Sequence, residues 1–228
     1  MAKNVREQTA EDRGYVDLHE HIEELRKAGL LFEVDRVINK DTEMHPLVRW
    51  QYRGGVEEED RKAWLFNNVT DAKGRKYDIP VLVGGLAANS AVYKLGMRCE
   101  LDQIKETWIR ALSNPIDPVE VPFDDAPCHD LVYEGEDLLN GFGVDQIPVP
   151  ISSPGWDNAP YFAASHFITK DPNTGIQNMG NYRSMVKAPN RVGFNPSIEL
   201  RTGGYMHWEE WKKLGKPMPC AIVIGAPP

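Results

Sequence analysis

The chain has 228 residues, of which 41% are hydrophobic and 26% charged, so it can build one large domain or two small ones with a full core. A formal net charge of -8 speaks against a nucleic acid or an anionic membrane as partner. No apolar run approaches the roughly 20 residues of a membrane span, and the polar amino terminus lacks a signal peptide's apolar segment. The widely spaced Cys99, Cys128 and Cys220 predict unpaired thiols in a reducing cytoplasm.

Helix-like and strand-like patterns alternate in the first half of the chain. The spacing of Tyr15, Leu18, Ile22 and Leu25 predicts a first helix that ends near Gly29. Further helices are predicted over residues 42–52, with Thr42 as the N-cap, and over residues 89–95 and 101–112. Strands are predicted over residues 31–37, 64–69 and 80–83. We therefore expect an α/β domain over residues 1–113.

A proline-rich linker over residues 114–130 separates this domain from a β-rich one over residues 131–228. Its four prolines are Pro115, Pro118, Pro122 and Pro127. Residues 131–133 predict a short strand, residues 205–214 a helix and residues 221–225 a buried strand. We expect mainly antiparallel strands in this second domain.

Residues 161–194 form the most informative stretch. Residues 162–169 alternate with the two-residue period of a strand, and residues 171–175 (DPNTG) supply a turn. A second strand begins near Ile176, and a turn at residues 188–190 precedes residues 191–194. The second strand has an unusual composition: it carries Asn178, Gly180, Asn181, Tyr182 and Arg183 where a plain core strand would carry Val and Ile.

Basic side chains concentrate in the same part of an acidic chain. They are Arg183, Lys187, Arg191 and Arg201. A guanidinium group can donate two parallel hydrogen bonds to a phosphate or carboxylate. The alternative is that these four residues form a solvated face.

The run TKDPNTGIQNMGNYRSMV resembles the signature region of UbiD-type decarboxylases, which use prenylated FMN to remove or add a carboxyl group on unsaturated and aromatic acids. DLHEHIEELRKAGLLFEVD, WLFNNVTDAKGRKYDIPVLVGGLAANSAVYKLGM and GKPMPCAIVIGAPP are similar to that family in the same order. The resemblance implies an α+β fold: an amino-terminal α/β domain followed by part of a split β-barrel that binds the flavin.

The resemblance also implies roles for individual residues. Asn178 is expected to bind a divalent metal, typically Mn2+, that bridges to the cofactor phosphate. Backbone groups of the segment Asn181-Tyr182-Arg183 are expected to lie against the cofactor, with Arg183 facing the substrate carboxylate as the catalytic residue. Further cofactor neighbours are expected on the next turn and strand: Asn195, Pro196, Ser197, Leu200 and Arg201.

Two observations complicate the predicted site. Asn178 and Arg183 are an odd number of residues apart, so a regular strand would place them on opposite faces. If both serve one cofactor, either the ligand wraps around the strand or a bulge, for which Gly180 is suited, shifts the register. Arg201 stands where many family members carry a metal-binding histidine, and a cation is a poor metal ligand but a good phosphate partner. His207 is a weaker candidate ligand, and His166 is expected to line the core or a pocket.

The expected function is non-oxidative decarboxylation, or the reverse carboxylation, of an aromatic or α,β-unsaturated acid, with CO2 as the other small molecule. The resemblance implies prenylated FMN, Mn2+, K+ as a further candidate ion, a flavin prenyltransferase as cofactor supplier and a homo-oligomeric assembly. Family members are about twice as long, so the chain is expected to be an amino-terminal half: a truncated chain, a cleaved product or one subunit of a split enzyme. The alternative is a non-catalytic flavin-binding or scaffold subunit of a multi-chain carboxylase.

Overall fold

The computed structural model describes residues 14–228. Helices and strands alternate up to residue 113, and strands dominate from residue 161 onward. The five α-helices of this part of the chain are α1 (Leu18–Lys27), α2 (Met44–Arg53), α3 (Ser90–Met97), α4 (Ile104–Ser113) and α5 (Gly203–Lys213). None of them is long and apolar enough to cross a lipid bilayer.

The strands are short and fall into four three-stranded sheets. Those of the first half are β1 (Leu31–Val34), β2 (Ile38–Asn39), β3 (Ala63–Phe66), β4 (Val69–Thr70), β5 (Lys76–Tyr77) and β6 (Val81–Val83). Those of the second half are β7 (Tyr161–Phe162), β8 (Ser165–Lys170), β9 (Gln177–Asn181), β10 (Ser184–Ala188), β11 (Arg191–Val192) and β12 (Cys220–Ile224). The predicted α+β class is confirmed, and no closed barrel is present among residues 14–228.

Each sheet of the first half contains one parallel pair of strands. The sheet orders are β1-β3-β6 and β2-β4-β5, with β1 parallel to β3 and β2 parallel to β4. Between the sheets and α2 lies a core that includes the fully buried Phe66, Ile38 and Met44. A second cluster includes Leu25 of α1 and Val92 of α3. Burial of such side chains stabilises the fold by roughly 1.5–3 kcal/mol each.

The sheets of the second half are antiparallel throughout, as predicted. Their orders are β11-β10-β7 and β12-β8-β9. Helix α5 packs on β8 and β9. The turn between these strands is the predicted one: Asp171 Oδ1 accepts from the backbone N–H groups of Asn173 and Thr174, both at 2.8 Å, and Gly175 has a φ of 74°. These bonds to the carboxylate lower the pKa of Asp171.

Helix ends follow local chemistry where a side chain can cap them. Asp17 caps α1 by accepting from Glu20 N, and Gly29 follows the helix with a φ of 69°. Asn89 caps α3 by accepting from Val92 N at 2.7 Å. Thr42 does not cap α2, because that helix begins one residue later than predicted, at Met44, with Glu43 in the capping position.

Two predicted strands differ from the structure. Residues 131–133 contain no strand, because no neighbouring strand is there to pair with them. The strand predicted over residues 221–225 exists as β12, but it is an edge strand rather than a buried one. Val223 and Ile224 are 41% and 45% exposed.

His21 lies at the junction of α1 and the strand-to-helix loop before α3. Its imidazole is fully buried, and Nε2 donates to the Gly85 carbonyl at 2.7 Å. Nδ1 is buried and has no hydrogen-bond partner within the part of the chain that the structure describes. Burial lowers the pKa of His21, and the nearby charge of Arg98 lowers it further. The neutral ring is therefore the form that the fold accommodates.

Acid should destabilise the chain through this histidine, and His21→Gln should reduce that effect. A lowered folded-state pKa means that the stability is fully present above the ordinary value of about 6.5 and is lost as the pH falls below it. One such group changes the free energy of unfolding by at most about 1.4 kcal/mol per pH unit. Gln can keep the donor to Gly85 but does not titrate.

The measurement is urea denaturation of both proteins between pH 7.5 and 5. His45, whose pKa is also lowered by burial, remains in both and is the control for the background slope. Equal loss of stability in wild type and His21→Gln would show that His21 does not contribute to the acid sensitivity.

Candidate functional site

Asn178 on β9 meets the first residue of α5. A Cβ placed on Gly203 would lie 2.2 Å from Asn178 Oδ1 and 2.5 Å from Asn178 Cγ, so only glycine leaves room for the amide at this position. The Asn178 Nδ2 atom is buried and has no hydrogen-bond partner among residues 14–228. A buried, unpaired amide nitrogen is a donor that a bound ligand can satisfy.

Tyr182 likewise contacts a glycine at the start of α5, in this case Gly204. Its ring is buried, and its hydroxyl accepts from Gly204 N at 2.9 Å. Ser165 on β8 donates to the Tyr182 carbonyl at 3.0 Å. The residue is therefore fixed at its backbone, ring and hydroxyl.

The chain changes sheets immediately after β9. Pairing of β8 with β9 is regular from His166 opposite Asn181 to Lys170 opposite Gln177, so the bulge expected at Gly180 is absent. Residues 182–183 instead lead out of this sheet and into β10, which pairs with β7 and β11. The odd spacing of Asn178 and Arg183 is resolved by this crossing and not by a register shift.

Arg183 is the first exposed side chain beyond this crossing. It forms no hydrogen bond or ion pair with another residue in the range 14–228. Asn181, the last residue of β9, is also exposed. A guanidinium group without a protein partner is available to an external carboxylate or phosphate.

The segment that leads into α5 forms a tight turn and contains no strand. Thr202 N and Oγ1 both donate to the Ser197 carbonyl at 3.3 Å, and Arg201 N donates to the Ile198 carbonyl at 3.0 Å. Asn195 and Leu200 are exposed, while Pro196 is half-buried. The turn places Arg201 next to the amino terminus of α5. The backbone N–H groups at the amino terminus of a helix favour an anion.

Arg201 itself has an unusual backbone. Its φ is 45°, in the left-handed region that a non-glycine residue enters at a cost of about 1 kcal/mol. Its exposed guanidinium lies 3.5 Å from the Glu209 carboxylate of α5. Strain of this kind is frequent at binding sites, where it fixes a side chain in one place.

The two histidines have structural surroundings. His207 on α5 is buried, and its Nδ1 lies 2.9 Å from Thr169 Oγ1 on β8, so this nitrogen is occupied in helix packing. His166 is half-buried on β8 opposite Asn181. Across residues 14–228, no cluster of three His, Cys, Asp or Glu side chains could hold a metal ion.

The structure thus brings Asn178, Tyr182 and the turn at residues 197–202 to one end of α5. It leaves Arg183 and Asn181 exposed on the adjoining crossing. Sequence reasoning missed Gly203, Gly204 and Thr169, although the pair GG directly before a helix and opposite a polar strand was a signal for close backbone approach.

An α+β protein with a polar strand end, a glycine-opened helix terminus and nearby arginines has the features of an anionic-cofactor binding domain. Residues 119–228 match the family model described as "3-octaprenyl-4-hydroxybenzoate carboxy-lyase Rift-related domain", UbiD. This match confirms the resemblance to UbiD-type decarboxylases seen in the sequence.

A curated relative is the gallate decarboxylase of Lactiplantibacillus plantarum. It is 27% identical over 202 residues, which are 86% of this chain and 39% of the relative. The chain therefore spans well under half the length of this relative.

Solved structures share the fold. The UbiD-class enzyme HmfF from Pelotomaculum thermopropionicum, in an evolved dimeric form with prFMN, superposes with a TM-score of 0.77 at 22% identity, over 93% of this chain and 45% of that one. The apo 3,4-dihydroxybenzoic acid decarboxylase of Enterobacter cloacae gives a TM-score of 0.77 at 24% identity, over 92% and 42%.

Proposed function

We propose that this chain is the amino-terminal half of a prenylated-FMN-dependent decarboxylase that acts on an aromatic or α,β-unsaturated acid, and that it holds the phosphate end of the flavin. The observation that carries the proposal is the buried Asn178 Nδ2 atom, which has no hydrogen-bond partner among residues 14–228, on an amide that lies against Gly203 at the start of α5, within the part of the chain that matches the UbiD family model.

The residues present fit the phosphate of a flavin. The first turn of α5 supplies backbone N–H groups, Asn178 an amide and Arg201 a fixed positive charge. Asn181, the backbone of Tyr182, Asn195, Pro196, Ser197 and Leu200 would form the surrounding wall. Prenylated flavin, when bound, supplies an electron sink for the carbon that loses CO2.

The residues present fit a metal ion only in part. Asn178 Oδ1 is a suitable hard ligand for Mn2+, but the described residues add no carboxylate or histidine cluster to complete a coordination sphere. Arg201, in the place of the histidine of many family members, would contact the phosphate directly. Any Mn2+ or K+ would need further ligands from the substrate, the cofactor or another polypeptide segment.

Arg183 would hold the substrate. Its guanidinium can donate two parallel hydrogen bonds to the carboxylate and so orient the bond that breaks. Because Tyr182 is anchored in the core next to it, the backbone that carries Arg183 is well fixed. We assign the proton that replaces CO2 to a group on another polypeptide segment.

Exposed apolar side chains support an assembly, including the homo-oligomer expected for the family. Helix α4 buries none of its residues, and Leu112 and Ile116 are 76% and 94% exposed. Apolar surface of this extent is typical of a protein–protein contact. A flavin prenyltransferase would deliver the cofactor to the assembly.

The proposal is tested by titrating the chain with FMN and following flavin fluorescence, in wild type, Gly203→Ala and the control Met206→Ala. The new Cβ at residue 203 must displace the Asn178 amide, so we expect at least tenfold weaker FMN binding, whereas Met206 is an exposed residue of the same helix and its variant should bind normally. Absence of FMN binding by wild type would reject the flavin, and unchanged binding by Gly203→Ala would reject its placement.

Activity separates an enzyme from a scaffold subunit. With prenylated FMN bound, the isolated chain should release no CO2 from aromatic acids, because the proposed proton donor lies on another polypeptide segment. The complete assembly should release CO2. An assembly that binds flavin without turnover would favour the scaffold reading.

A further inference from the structure

We propose that Tyr182 is a positioning residue: its hydroxyl ties the start of α5 to the end of β9, and this holds Asn178 and the first turn of α5 in the geometry that receives the flavin phosphate. The inference rests on the proposed flavin site. It assigns the Tyr182 side chain to the interior, whereas the family resemblance places only the backbone of this segment near the cofactor.

The phenol is held on every side. Tyr182 is 8% exposed, and its ring packs edge-on against Phe167 and Phe194, with centroid distances of 5.7 and 5.3 Å. The hydroxyl oxygen accepts from Gly204 N at 2.9 Å. That N–H is one of the first-turn donors of α5 that has no partner within the helix.

Gly180 and Gly204 leave the space that the Tyr182 ring occupies. A Cβ on Gly180 would lie 2.4 Å from Tyr182 Cε2, and a Cβ on Gly204 would lie 3.0 Å from the same atom. Neither glycine has a positive φ, so their role is close approach and not a special backbone conformation. Gly180, expected to form a bulge, is explained by the ring that covers it.

The two contacts are in register with each other. Asn178 and Tyr182, four residues apart, meet the consecutive residues Gly203 and Gly204. A shift of α5 along β9 would therefore disturb both contacts together. Removing the hydroxyl should loosen the helix start, and the Asn178 amide should lose its fixed relation to the first-turn N–H groups.

The test compares Tyr182→Phe with the control Tyr205→Phe. Tyr205 lies on the same helix, but its hydroxyl donates to Glu209 Oε1 at 2.9 Å and not to the helix start. Affinities are measured for FMN and for riboflavin, which lacks the phosphate. Loss of one hydrogen bond predicts about tenfold weaker FMN binding, with riboflavin affinity unchanged. Amide exchange at Gly204 should become faster in Tyr182→Phe and stay normal in Tyr205→Phe.

A merely structural role would lower FMN and riboflavin affinity equally, together with the thermal midpoint, and would overturn the proposal. Unchanged Gly204 exchange in Tyr182→Phe would overturn it as well. If wild type binds FMN but Tyr182→Phe binds it equally well, this inference fails and the flavin site stands. If wild type binds neither FMN nor riboflavin, both the proposed function and this role of Tyr182 are rejected.

Discussion

In the proposed decarboxylase, Arg183→Lys is expected to lower turnover about a hundredfold, with little change in stability. Lysine keeps the charge but loses the planar two-donor fork, so the carboxylate is held less accurately. Misplacement of a reacting group by about 1 Å can cost on the order of a hundredfold in rate. Arg183 is exposed and without a partner among the described residues, so folding should change by less than about 0.5 kcal/mol.

Turnover, flavin occupancy and thermal midpoint are measured on the same preparation. Arg191→Lys is the matched control, because Arg191 is also an exposed arginine of this basic segment, on β11, and has no proposed contact with substrate. Near-normal turnover in a stable, flavin-loaded Arg183→Lys variant would remove Arg183 from the catalytic set. Equal losses in both variants would indicate a general effect of basic charge.

Local chemistry made much of the fold predictable. Asp17 and Asn89 each cap a helix through a bond to a residue three positions away, and Gly29 follows α1 in the left-handed region. The turn at residues 171–175 depends on bonds within five residues. Features of this kind are encoded by neighbours in sequence, so a pattern of letters is sufficient to find them.

Features that depend on distant partners were not predictable in the same way. The predicted strand over residues 162–169 is interrupted by bends at Ala163 and Ala164, so Phe162 and Phe167 are both buried although their spacing is odd. Residues 131–133 have strand-like composition but no partner strand. Pairing decides both cases, and pairing is a long-range property.

The candidate site likewise has features that could be predicted from the sequence and features that could not. The resemblance selected Asn178 and Arg183, but their relative placement depends on where the chain leaves one sheet for the other, between Asn181 and Ser184. The reason for Gly180 and Gly204 lies in a tyrosine ring that is near them only in the folded protein. Arg201 could be identified as a departure from the family pattern, but its left-handed backbone could not.

The distribution of charge along the chain gives a further argument for assembly with a partner, and this distribution is not visible in the overall composition. The net charge of -8 hides a stretch without any Lys or Arg from Ala111 to Thr169. Its acidic residues between 117 and 137 take part in none of the ion pairs among residues 14–228. Because exposed apolar residues such as Leu131 accompany them, a basic and apolar surface would complement this segment.

Phe66→Ala is expected to have the largest effect on stability, lowering the free energy of unfolding of the amino-terminal unit by about 3–5 kcal/mol. Phe66 is fully buried in the core of the first half and stacks on Trp64 with a centroid distance of 5.9 Å. Its removal leaves a cavity that the short strands around it cannot close. If residues 1–113 and 131–228 are separate domains, as we propose, the loss should be confined to the first.

Amide hydrogen exchange is measured for individual segments during urea denaturation. It shows whether the loss of stability is confined to the first unit. Phe167→Ala is the counterpart in the second unit, since Phe167 is 2% exposed, and Leu112→Ala, at a highly exposed position, should change stability little. The two units do touch: Arg75 Nη1 donates to Asp145 Oδ2 at 3.0 Å. An exposed ion pair of this kind contributes only about 0–1 kcal/mol, so this pair alone does not couple the units fully. Equal loss of protection in both halves of Phe66→Ala would therefore contradict the division at the proline-rich linker and indicate one cooperative unit.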